Sequence, residues 1–193
     1  MRKFKGLFLC LMWLLLVAAI IVSWNSKALQ HQVDFGYSEV EHAWQDHNGY
    51  ARYRPNMKHL GYTLWFDTNI GLRVGHGFMQ EALEESGGVY KNVAVDFKRI
   101  TAFELQYRYY LNNNTYLVGG IGTYITPTNH IYYRDGKVSG GRIDSDDDEG
   151  WLFGISTSIA KRVNVEFRFN HYSQISKHKE YIKGLSVNVN YTF

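Results

Sequence analysis

The last nine residues, LSVNVNYTF, place Leu185, Val187, Val189, Tyr191 and Phe193 at every second position, with Ser186, Asn188, Asn190 and Thr192 between them. Strict alternation at period two makes a β-strand with two unlike faces. Such a strand either sets its apolar side against a protein core or sets it against lipid, with the polar side looking into a lumen. A terminal strand of a soluble domain commonly trails off into a few polar residues. This one stops on a phenylalanine.

The alternation recurs along the chain. VNVEFRF sets Val163, Val165, Phe167 and Phe169 against Asn164, Glu166 and Arg168. WLFGISTSI sets Trp151, Phe153, Ile155 and Ile159 against Gly154, Ser156 and Ser158. TAFELQYRYYL does the same with Phe103, Leu105, Tyr107 and Tyr109 opposite Ala102, Glu104, Gln106 and Arg108. NIGLRVGHGF opposes Ile70, Leu72, Val74 and Phe78 to Gly71, Arg73, Gly75 and Gly77, and the first segment opposes Val33, Phe35 and Tyr37 to Asp34, Gly36 and Ser38. With HLGYTLWF and TYLVGGIGTYIT, whose two faces are both apolar or glycine, this makes eight strands.

Their connections alternate in length. Long segments (41–58, 79–92, 126–149 and 175–181) are expected as loops, and short polar turns fall near Thr68, Asn113 and Lys161. Even strand number, segments of about ten residues and short turns on one side only are the pattern of an up-and-down barrel in an outer membrane. An inverted soluble barrel has the same periodicity. The composition of the faces separates them: the polar faces carry Gly, Ser and Ala beside a few charges, as a narrow eight-strand lumen requires, and the bulky aromatics lie opposite. Asp34, Glu104 and Glu166 are expected to balance Arg73, Arg108 and Arg168 inside. In the loop 126–149, Asp135-Gly136 predicts a hairpin, with the acidic run 144–149 as its flexible return.

The start of the chain fits this setting. Arg2, Lys3 and Lys5 precede an apolar run from Leu7 to Val22, and Ser26 and Ala28 fit a small-residue cleavage site. Residues 1–28 are therefore expected to be a secretory signal peptide, and residues 29–193 the barrel domain. Of 21 basic side chains four belong to the signal, so the remainder has 17 against 18 acidic ones, a net charge of −1. The basicity of the whole chain thus belongs to the targeting segment and gives no ground for a nucleic-acid partner, and none is expected. The only cysteine, Cys10, also lies in the signal, which leaves no disulfide framework or thiolate metal site.

The strands ITAFELQYRYYL, TYLVGGIGTYI, GWLFGISTSIAKRVNVEFRFNHYS and GLSVNVNYTF resemble those of small OmpA/OmpX-type outer-membrane β-barrel proteins over most of residues 60–193. The resemblance implies an all-β, eight-stranded antiparallel transmembrane barrel with both mature termini in the periplasm. It also implies that Leu185, Val187, Val189, Tyr191 and Phe193 form the signal read by the outer-membrane assembly machinery. Expected partners are outer-membrane lipid and lipopolysaccharide, with a host or surface ligand possible through the outer loops.

One stretch, RFNHYSQ, bears on catalysis. Lipid A 3-O-deacylases of the PagL type are eight-stranded barrels with a lipid-facing His and Ser two apart, followed by Asn. His171 and Ser173 match that pair, but Gln174 stands in place of the Asn, and the family's PN-containing loop and following acid are missing, with Glu180 as the candidate stand-in. A nucleophile needs a base and the base an orienting group, so the expected reading is a non-enzymatic barrel, with the deacylase as its alternative. The acidic run lacks the spaced ligands and turn glycine of a calcium loop. His31, His42, His47 and His59 have no metal spacing, and Gly119, Gly120 and Gly122 lie in a strand instead of before a helix. No metal and no cofactor is expected. Arg52, Arg54, Lys58, Lys177, Lys179 and Lys183 in the outer segments are candidates for lipopolysaccharide phosphates.

Overall fold

The computed structural model describes the backbone of residues 29–46, 49–66, 68–88, 93–97, 99–134, 137–173 and 179–193. Side chains are described for 29–43, 52, 54–66, 68–79, 99–125, 149–172 and 181–193. The expected signal peptide, Asp135-Gly136 and Lys177 lie outside the described residues. Among the described residues nine strands follow one another: β1 (Gln30–Asp46), β2 (Gly49–Trp65), β3 (Ile70–Gly88), β4 (Val93–Phe97), β5 (Arg99–Tyr110), β6 (Thr115–Arg134), β7 (Lys137–Ala160), β8 (Val163–Ser173) and β9 (Lys179–Thr192). Eight of them pair antiparallel in the order β1-β2-β3-β5-β6-β7-β8-β9, and β9 returns to β1 (Asp34 opposite Asn190, Val33 opposite Tyr191). This is a closed all-β barrel of eight strands. The chain meets no open edge around the wall, which is what a sheet in lipid requires.

The short turns are made by local polar chemistry. Asn112 Oδ1 accepts hydrogen bonds from the backbone N–H of Asn114 (2.8 Å) and Thr115 (2.9 Å), so the asparagine side chain closes the β5–β6 turn. The Phe66 amide donates to the Ile70 carbonyl at 2.8 Å across the β2–β3 turn. Lys161 and Arg162 alone separate β7 from β8.

At the other end three of the segments expected as loops, 41–58, 79–92 and 126–149, are largely strand among the described residues, and 179–181 of the fourth begins β9. β1 and β2 stay paired out to Asp46 opposite Gly49, and β3 follows β2 to Gly88. β6 and β7 stay paired to Arg134 opposite Lys137, with one shift of register between Tyr132 and Tyr133, as the hairpin expected around Asp135-Gly136 requires. The acidic run is not a flexible return: Asp144 to Glu149 lie in β7, opposite Thr128 to Thr123 of β6. β4 adds a strand outside the wall, pairing Val93–Phe97 with Tyr132–Thr128. Strands of 17 to 24 residues exceed the ~9–11 needed to cross a bilayer, so these hairpins project beyond the band. The backbone ladder continues there although the sequence no longer alternates.

Within the wall, parity decides burial. Asp34, Ser38, Arg73, Glu104, Gln106, Arg108, Glu166, Arg168, Asn188 and Asn190 are all buried, whereas Phe35, Phe78, Tyr107, Ile121, Phe153, Phe167, Leu185 and Val189 are exposed. Isoleucine 121 is 65% exposed while Asn188 is fully enclosed. β6, whose faces the sequence leaves undecided, turns Tyr116, Val118 and Tyr124 inward and Leu117 and Ile121 outward. A globular protein in water does the reverse, and an apolar belt running round the whole molecule is the signature of a lipid-facing surface.

Candidate functional site

The lumen is filled in three tiers. Nearest the short turns, the Trp65 Nε1–H donates to Gln32 Oε1 at 3.1 Å, and the Arg108 guanidinium lies over the Trp65 ring at 3.6 Å from its centroid. Arg108 Nη2 also donates to Gln30 Oε1 at 3.2 Å.

The middle tier is an ion cluster. Arg73 grips Asp34 with two donors, Nη2 to Oδ1 at 2.7 Å and Nε to Oδ2 at 2.9 Å, in the two-pronged geometry that suits a guanidinium and a carboxylate. Its third nitrogen, Nη1, donates to Glu104 Oε2 at 3.2 Å. Glu104 is the hub: the same oxygen accepts from Arg168 Nη1 (3.4 Å) and Gln106 Nε2 (2.7 Å), and Oε1 accepts from the Tyr124 hydroxyl (3.2 Å). Arg168 in turn holds Glu166 Oε1 at 2.6 Å, and Asn188 and Asn190 donate to the same carboxylate at 3.3 and 3.2 Å. Buried charge survives only when paired and hydrogen-bonded, and every carboxylate here has at least two donors.

Five of the six residues expected to balance in the lumen thus meet. Arg108 does not join them. It is inward-facing, as its parity requires, but sits four residues along β5 from Glu104, about 13 Å at ~3.3 Å per residue, on the tier of Trp65. Glycines make the cluster possible: a Cβ on Gly75 would stand 2.6 Å from Arg73 Nη1, and one on Gly61 would touch Asp34 Oδ2. Parity put Gln106, Asn188 and Asn190 on the inward face without showing that they complete the shell, and it missed Tyr124, on a strand whose faces the sequence leaves undecided. The glycines flanking Arg73 on its own face were the signal that large side chains lie flat there, Arg73 itself over Gly75 and Trp65 over Gly71.

The upper tier is apolar. Val40, Met57, Ile100, Ala102, Tyr124, Tyr172 and Ile182 pack into one cluster above the charges. Between the tiers His59 bridges Ser38 Oγ (3.1 Å) and Asn188 Oδ1 (2.6 Å), beside a cavity of about 20 Å³. That holds one water at most. The described interior has a plug, not a passage.

The other candidates scatter. His171 faces outward on β8, its ring stacked parallel (2°) on Trp151 at 5.3 Å. Ser173 is opposite Glu149 and Tyr181 in the ladders, and Glu180 is opposite Trp44 in β9–β1; the side chains of Ser173 and Glu180 lie outside the described residues. Among the described residues no three metal-ligating side chains come together, and His59 lies inside the plug while His31 bonds the Tyr62 hydroxyl (2.6 Å) at the turn end. Gly119, Gly120 and Gly122 lie in β6. At the rim, Glu41 collects cations: Arg52 (3.7 Å), Arg54 (3.6 Å) and Lys183 (3.5 Å), with the Tyr181 hydroxyl donating at 2.7 Å. The terminal strand presents Leu185, Val187, Val189, Tyr191 and Phe193 along one exposed stripe, with Tyr191 and Phe193 edge to face at 5.4 Å.

No protein-family model and no curated sequence matches the chain. Solved structures do. The attachment invasion locus protein Ail of Yersinia pestis superposes with a TM-score of 0.61 at 13% identity, over 85% of this chain and 98% of Ail. The outer membrane protein OprG of Pseudomonas aeruginosa gives 0.58 at 13%, over 86% and 97%, and Neisserial surface protein A gives 0.56 at 14%, over 86% and 97%. The fold is that of the small eight-stranded outer-membrane barrels.

Proposed function

We propose that this chain is a non-enzymatic integral barrel of a bacterial outer membrane, with its turns and both mature termini in the periplasm and its long hairpins in the external medium. The observation that carries the reading is the inversion of the wall: a continuous exposed apolar belt outside and a closed charge cluster inside. Such a surface is stable only in lipid. Among the described residues the plug leaves no conduit for solutes, so what the molecule offers its surroundings is its outer rim and hairpins, which suits envelope structure or adhesion to an external surface. Ail, whose name assigns it to attachment and invasion, has been crystallised with the heparin analogue sucrose octasulfate and shares this fold at 13% identity; a sulfated or phosphated ligand for the hairpins here is a reading of the same kind. Its lipid partners are the bilayer and lipopolysaccharide. The terminal stripe to Phe193 serves as the recognition end for the assembly machinery.

The test joins location and fold. The protein should fractionate with the outer membrane, and the unheated sample should migrate differently in SDS from the boiled one. Recovery in the soluble periplasm, or migration insensitive to heating, refutes the reading. Deleting Phe193 should slow assembly without altering the migration of the molecules that do fold.

A further inference from the structure

β1 and β9 differ from every other neighbouring pair in the wall. The others are joined at one end by a turn or a connecting segment, whereas β9 and β1 are the last and first strands and no chain links them. Their pairing brings together residues as distant as Glu41 and Tyr181, 140 positions apart. Closing so long a loop costs more entropy than closing a hairpin, so this seam holds only as well as its own contacts do. At the turn end the backbone fastens it: the Phe193 N–H donates to the His31 carbonyl at 2.9 Å, just past Gln32 opposite Thr192. Toward the hairpins a side chain takes part.

That side chain is Glu41. β1 begins at Gln30, so Glu41 is its twelfth residue, past the ~9–11 that cross a bilayer. In the β1–β9 ladder it is opposite Lys183. On the other flank the β1–β2 register runs unshifted from Glu39 opposite Asn56 to His42 opposite Tyr53, which sets Glu41 across from Arg54. The ladder skips Val40 and Glu41 there, beside Pro55, which has no N–H to give. A cation, an anion and a cation therefore stand in one row across β2, β1 and β9. Arg54 Nε lies 3.6 Å from Glu41 Oε2, and Lys183 Nζ lies 3.5 Å from Oε1. Arg52 Nε reaches Oε1 at 3.7 Å, and the Tyr181 hydroxyl donates to the same oxygen at 2.7 Å. Glu41 is 19% exposed against about 40% for each cation, so the carboxylate is the enclosed centre of the group. Val40 and Ile182, on the inward face beside the row, belong to the apolar tier. A seam that parted here would wet them.

We infer that Glu41 is a charge clasp that fastens the barrel's seam beyond the bilayer, holding β9 on one side and bridging the proline-broken stretch of β2 on the other. The clasp needs the closed barrel but not any particular orientation of its hairpins. It also needs an ionised carboxylate. Partial burial pushes the Glu41 carboxyl up, but the Tyr181 hydroxyl, Lys183 and Arg52 outweigh that and hold it below the ordinary carboxylate value. The other charged or titratable groups about the row are Glu39 on β1, Lys58 on β2 opposite Tyr37, His171 on β8 opposite Lys183, and Glu85 on β3 opposite Arg52. The clasp is thus complete at neutral pH and is lost as the pH falls through the depressed value. Without the negative charge, three cations are left facing one another.

The test is hydrogen–deuterium exchange of the full mature chain in phospholipid vesicles, read by segment and corrected for the intrinsic effect of pH. Glu41→Gln should speed exchange about fivefold in 39–46 and 179–184 and leave 101–110 of β5 unchanged. Lys183→Gln should loosen 179–184 and spare 50–56 of β2, and Arg54→Gln should do the reverse. Salt distinguishes a clasp from a side chain that merely packs. Raising ionic strength from ~0.01 to ~1 M shortens the screening length from ~30 to ~3 Å. That should speed exchange at the wild-type seam and slow it in Glu41→Gln, where repulsion alone is left to screen. In acid the wild type should approach Glu41→Gln. A seam unchanged by Glu41→Gln overturns the inference, and so does faster exchange all round the rim, the β7–β8 ladder included. Salt acting in the same direction on both proteins overturns it as well. Should Glu41→Gln lose its heat-modifiable migration, Lys183→Gln carries the same comparison.

Discussion

Replacing Arg73 with methionine tests the lumen most directly. Arg73 is 5% exposed, and its partners Asp34 and Glu104 only 1–2%. Methionine keeps much of the side-chain volume but removes all three hydrogen bonds. Asp34 then loses both donors of its two-pronged pair, while Glu104 keeps Arg168, Gln106 and Tyr124. Removing one partner of a buried pair costs ~3–5 kcal/mol, which is roughly two to four orders of magnitude in the folding constant. The stranded carboxylate causes most of that, so Asp34→Asn/Arg73→Met should recover the larger part. Arg108→Met should cost less, about 2 kcal/mol, because it forfeits a contact with the Trp65 face. Lys161→Met, on an exposed turn, should cost nothing measurable. The assay is equilibrium unfolding in urea from phospholipid vesicles, followed by tryptophan fluorescence. If Arg73→Met moves the midpoint no further than Lys161→Met, Arg73 is in water and the two faces are the other way round. If the double variant is no better than the single one, the pair is not the unit described.

Three further outcomes are expected. The purified barrel should give no measurable conductance in planar bilayers, since the apolar tier and the ion cluster close the described lumen; discrete channel openings would contradict that packing. A protease added to intact cells should cut the β6–β7 hairpin around Asp135-Gly136 first, and cleavage only after the outer membrane is permeabilised would reverse the topology. Lipid A from expressing cells should have the same mass as lipid A from cells lacking the gene, and a deacylated species that disappears in Ser173→Ala would establish the esterase reading instead.

Alternation alone determined the strands of the wall and which side chains share a face. Asp34, Arg73, Glu104, Glu166 and Arg168 could be assigned inward from parity, because period two is a property of each strand by itself. The turns were legible for the same local reason: Asn112 and the Lys161-Arg162 pair act within a few residues. Tertiary structure decided what depends on neighbours. Height in the lumen is fixed by register between strands, so Arg73 meets Glu104 directly across β3 and β5 while Arg108, on the same face, lands beside Trp65. The extent of the hairpins was hidden because a ladder held by backbone hydrogen bonds needs no alternation of side chains, and so leaves none to read. The assignment of β6 likewise waited for its neighbours. Tyr116, Val118 and Tyr124 alternate with Leu117 and Ile121 without a polar face to set them apart, and only closure of the barrel determines which of them the protein must enclose.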